Sequence, residues 1–118
     1  MKIQLLGFQY EVFADENELA KTCDEYEIDS NITYGLHVAE ERKILVSPNL
    51  SDTQFVQTLF HELLHAIGSI SGHAELAHSS RKAEYFVDAI ANGILSALQN
   101  PELYLFVGMK LGHLKKEE

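Results

Sequence analysis

Apolar residues recur along this chain with two periods, and the switch between them divides it into elements. From Ile3 to Phe13 they alternate: Ile3, Leu5, Phe8, Tyr10 and Val12 are interleaved with polar residues and Gly7. A period of two predicts a strand, and the glycine is where it would bend. Asp15 followed by Glu18 predicts the cap of a short helix running towards Thr22. From Ile32 to Val38 the alternation is cleaner, with Ile32, Tyr34, Leu36 and Val38 on one side and Thr33, Gly35 and His37 on the other. That reads as a half-buried strand. Four charged residues, Glu40 to Lys43, separate it from Ile44-Leu45-Val46, so the two apolar runs form an antiparallel hairpin that delivers the chain to Ser47-Pro48-Asn49.

The period then lengthens. Ser51 and Gln54 make a capping box, and Phe55, Val56, Leu59, Phe60, Leu63, Leu64 and Ile67 follow at helical spacing. This helix should end near Gly68, ahead of a small and polar stretch, Ser69 to Ser80, that reads as a loop. A second helix spans about Arg81 to Leu98, with Phe86, Val87, Ile90, Ile94 and Leu98 on its buried side, and Pro101 opens a shorter third one towards Met109. The expected fold is α+β: a small antiparallel sheet packed on two principal helices, forming one domain over residues 1–118.

Composition narrows the function. Nine basic against eighteen acidic side chains give a net charge of −9, a field that repels nucleic-acid phosphates. Seven of the acids crowd between Asp15 and Asp29, which reads as a solvated surface. No apolar run reaches membrane-spanning length, and Met1 to Tyr10 lacks the basic and apolar blocks of a secretory signal. Cys23 is the single cysteine, so neither an internal disulfide nor a multi-thiolate zinc site can form. The expected compartment is the cytoplasm.

Chemistry concentrates in the first long helix, at His61-Glu62-Leu63-Leu64-His65. Two histidines four apart on a helix share a face, so their imidazoles can converge on one cation, with Glu62 beside them. The apolar stripe covers about half of the helix circumference, and His61 and His65 lie on the other half, away from the positions a packed core histidine would take. Zinc is the expected ion. A catalytic zinc needs a third protein ligand, and the second helix offers Glu84 with Asp88 one turn later. Glu84 is the preferred third ligand; His73 and His78, in the loop between the helices, are its competitors, and a solvent-facing acidic edge is the bland alternative for Glu84 and Asp88.

HExxH followed by Glu84-Tyr85-Phe86-Val87-Asp88 on a second helix resembles the gluzincin pattern, HExxH plus ExxxD. The resemblance implies Glu84 on zinc and Asp88 as the carboxylate that orients a ligand histidine. The HExxHxxGxxH pattern of metzincins is met as far as Gly68 and then broken, because Ser71 stands where its third histidine would be. The stretch from Ile44 to Glu102, with its Thr58-to-Ala66 core, also resembles the small metallopeptidases of phages and mobile elements, including the ImmA/IrrE type. That resemblance implies a minimal zincin-like fold and a zinc peptidase whose substrate selection depends on a partner.

In this reading Glu62 is the general base that takes a proton from an attacking water and returns it to the departing amine. Tyr34 or Tyr85 is available to steady the oxyanion. The substrate is a protein or peptide, laid as an added strand along the hairpin edge. Two other functions use the same residues: a non-catalytic module in which the metal staples two helices, and a zinc hydrolase of a non-peptide substrate. Glu62 weighs against the first, since a purely structural site has no need of a base.

Overall fold

The computed structural model describes residues 1–77 and 80–114. Its elements run β1 (Lys2–Leu5), β2 (Phe8–Phe13), α1 (Glu16–Glu25), β3 (Gly35–Val38), β4 (Lys43–Val46), α2 (Asp52–Ser71), α3 (Ala74–Ala77), α4 (Arg81–Leu98) and α5 (Pro101–Lys110). The fold is α+β as expected, but the sheet is mixed and has four strands in the order β1-β2-β4-β3. β1 and β2 are antiparallel, as are β3 and β4, whereas β2 and β4 run parallel. Parallel neighbours need a crossover. α1 provides it, with Leu19 and Cys23 packed over Leu45 and Val38.

Two strand boundaries differ from the expectation. Ile3 to Phe13 is a tight hairpin rather than one bent strand, turned by Leu6 and Gly7 at φ 50° and 84°. Both turn residues are left-handed, which is what a two-residue hairpin loop requires. β3 begins only at Gly35, because Asp29 organises the preceding residues into a turn. Its carboxylate accepts from the Asn31 amide at 3.0 Å and its carbonyl from the Thr33 hydroxyl at 2.8 Å. Ile32 and Tyr34 are left 77% and 60% exposed.

α2 is the centre of the molecule. One side packs on the sheet, where Ala66 joins Tyr10, Val12, Ile44 and Val46, and another on α4, where Leu64 meets Val87 and Ala91. The Ser51 cap accepts from the Gln54 amide at 3.3 Å. At its other end the helix runs beyond Gly68 to Ser71, and Gly72, at φ 73°, closes it. Gly68 instead lies buried under α3: a Cβ there would stand 2.7 Å from the Ala77 nitrogen. α3 itself is a helical turn within the stretch expected to be loop. α4 has the expected bounds but a different buried face, built from Ala83, Val87 and Ala91. These small residues let it lie close to α2, and they rotate Phe86 and Ile94 outward, 48% and 40% exposed. No helix among the described residues is long and apolar enough to cross a membrane.

Candidate metal centre

The half of α2 that carries the histidines faces α4 and α3. His65 is 7% exposed and His61 is half-buried. Their Nε2 atoms stand 3.1 Å apart, and the Glu84 carboxylate on α4 reaches both, at 2.7 Å from His61 and 3.0 Å from His65. The other ring nitrogens are committed. His61 Nδ1 donates to Asp88 Oδ1 at 2.7 Å, and His65 Nδ1 donates to the Leu76 carbonyl at 2.6 Å. A carboxylate and a backbone carbonyl only accept, so each Nδ1 carries a hydrogen, and Nε2 is the ring atom that can offer a lone pair when the ring is neutral.

Two Nε2 atoms and a carboxylate therefore converge at one point. Ligand atoms around a tetrahedral zinc with ~2.0–2.1 Å bonds stand roughly 3.3 Å apart, close to the spacing of this trio. His61, His65 and Glu84 form a group that could hold a metal ion, with one ligand atom from each lying within 4.8 Å of the others. Asp88 is tied in turn to Gln57, whose Nε2 donates to the same Oδ1 at 3.3 Å. Orientation of a ligand ring by a carboxylate and a carbonyl is the usual outer support of a histidine metal site.

Glu62, one residue from His61, is 8% exposed and borders a cleft of about 310 Å³ with Tyr34, Gly35, Gln57 and Thr58. Burial pushes its carboxyl up to about 7; the Glu84 and Asp88 charges push the same way and His61 opposes them. A carboxyl poised near neutrality can both take and return a proton. The backbone of β3 comes close to it only because Gly35 has no side chain: a Cβ there would lie 2.6 Å from Thr58 Cγ2 and 3.1 Å from a Glu62 carboxylate oxygen.

The sequence-predicted residues are thus partly gathered. His61, Glu62, His65, Glu84 and Asp88 come together, and Tyr34 reaches the cleft. Tyr85 points elsewhere, under the Arg81 guanidinium at 5.8 Å. His73 is exposed and outside the metal group, and His78 lies outside the described residues. Three participants escaped the sequence reading. Gln57 carried a signal, since Gln57, His61 and His65 form one i, i+4, i+8 stripe. Gly35 had none beyond being a strand glycine, and the Leu76 carbonyl, being backbone, had none at all. Compared with protein-family models, curated proteins and solved structures, the chain matches none of them.

Proposed function

We propose that the chain is a zinc-dependent peptidase in which His61, His65 and Glu84 hold the metal and Glu62 is the general base. The observation that carries the reading is the pair of Nε2 atoms, turned inward by acceptors on both Nδ1 atoms, meeting the Glu84 carboxylate beside a buried carboxyl that opens onto a cleft. Zinc held by these three residues would supply Lewis acidity to acidify water and polarise a carbonyl. Glu62 takes the proton of the attacking water and delivers it to the leaving amine. Asp88, steadied by Gln57, keeps His61 turned towards Glu84, and the Leu76 carbonyl does the same for His65.

A peptide fits this cleft as an added strand on β3, the edge of the sheet. The Ser47 amide donates to the Tyr34 carbonyl at 2.8 Å. Antiparallel alternation then bonds Leu36 to Leu45 and leaves the main-chain groups of Gly35 and His37 facing outward. The reading includes a cytoplasmic home, in keeping with a free, buried Cys23.

Metal analysis with a Glu62→Gln variant tests the proposal. Wild type and variant should each bind about one zinc, while the variant loses roughly 10²–10⁴-fold in peptide cleavage. Zinc-free protein from a metal-replete preparation would overturn the metal assignment, and cleavage undiminished in the variant would overturn the assignment of the base.

A further inference from the structure

α5 departs from the rule that builds the other long helices. α1, α2 and α4 each bury a face, whereas no residue of α5 is buried. Leu103, Tyr104, Leu105, Phe106 and Val107 are 38–54% exposed, and Leu111 just beyond it is 65% exposed. The helix rests on α4, with only Gly108 and Met109 half-buried. An apolar helix of this kind needs a cover.

Charge selects the cover. Residues 89–114 contain one acid and one base, Glu102 and Lys110, so the net −9 of the chain is carried by the rest of it. Two copies repel each other over most of their surfaces, but not here. Glu102, Phe106 and Lys110 follow at i, i+4 and i+8 and form one exposed stripe on the helix. The Lys110 ammonium already lies over Phe106, 5.6 Å from the ring centroid. The stripe is self-complementary. An antiparallel copy related by a two-fold axis at Phe106 sets ring against ring, and Glu102 against the partner's Lys110 on both sides.

We propose that the protein is a homodimer joined through α5 about that axis. Around that axis Leu103, Leu105, Phe106 and Val107 offer on the order of 300 Å² of apolar surface per protomer, which with the Glu102 and Lys110 rim makes an interface smaller than the ~800 Å² per partner of the standard size, one whose occupancy depends on concentration. A lipid surface suits the helix less well, because it has no basic face.

Sedimentation equilibrium of the full chain over roughly 1 to 100 µM tests this. Wild type should reach twice the chain mass at the upper end. Glu102→Lys and Lys110→Glu each place like charges together twice across the axis and should weaken association by about tenfold. Combining the two exchanges restores opposite charges and should return association to the wild-type level, with helix content unchanged by circular dichroism throughout. A monomer at every concentration overturns the proposal, as does a dimer indifferent to both single exchanges or one that the combined exchange fails to restore.

Discussion

His37 shows how one residue adjoining the metal group shapes the behaviour of the protein. Its ring stacks on Tyr10 with centroids 5.8 Å apart, and the Tyr10 hydroxyl lies 3.2 Å from its Nε2, within hydrogen-bond reach. Burial, with a smaller push from His65, lowers its pKa to about 4 from an ordinary 6.5. Between these values the unfolded chain binds the proton and the folded chain does not. Stability is therefore complete above about pH 6.5 and is lost as the pH falls towards 4. Allowing for partial exposure, the loss should be about 1–2 kcal/mol. Urea melts of metal-free wild type and His37→Gln between pH 7 and 4.5 check this: the variant should show a shallower decline, and equal slopes would remove His37 from the account. No sequence signal pointed to this role. The spacing of His61 and His65 was legible because a helix turns it directly into a shared face, whereas the environment of His37 depends on Tyr10 arriving from another strand.

At the scale of elements, the helical bounds were the most legible part of the fold, because caps and periods are local. Ser51 with Gln54 set the start of α2, and α4 ran from Arg81 to Leu98 as read. Long-range pairing was not legible: nothing in Val12 and Ile44 announces that their strands lie side by side and parallel. The β1–β2 hairpin did leave a trace, since apolar positions shift from odd at Ile3 and Leu5 to even at Phe8, Tyr10 and Val12 across the two turn residues. Gly68 misled because a helical glycine marks either an end or a close approach, and here it marks the approach of α3 that brings the Leu76 carbonyl to His65. Gly68→Ala should consequently displace α3 without interrupting α2. The added Cβ meets backbone, which cannot rotate away, so the expected cost is about 1–3 kcal/mol. Loss of the carbonyl acceptor should weaken metal binding by roughly 10–100-fold. Thermal melts and competition against a chromogenic chelator measure the two effects, and a variant that binds metal as tightly as wild type would show that the Leu76 contact does not orient His65.

For the molecule as a whole, the metal group lies across the joint between α2, which is bound to the sheet, and α4, which touches the rest chiefly through α2 and α3. Leu64 and Phe60 of α2 pack there against Val87, Ile90 and Ala91 of α4. Ligand bonds from both helices would add to this apolar contact rather than replace it. A metal that binds the folded chain alone stabilises it by about 2.7 kcal/mol at a hundredfold excess over its Kd. For a domain of this size that should raise the Tm by on the order of 10 °C. Glu84→Ala severs the α4 side of the joint while leaving His61 and His65 on α2. The metal-free variant should melt close to metal-free wild type, because Glu84 is half-exposed and packs no core. Only wild type should gain on adding zinc, and chelator should reverse the gain. An equal gain in both proteins would mean that zinc binds without α4. No gain in either would mean that the convergence of His61, His65 and Glu84 holds the helices together by hydrogen bonds alone.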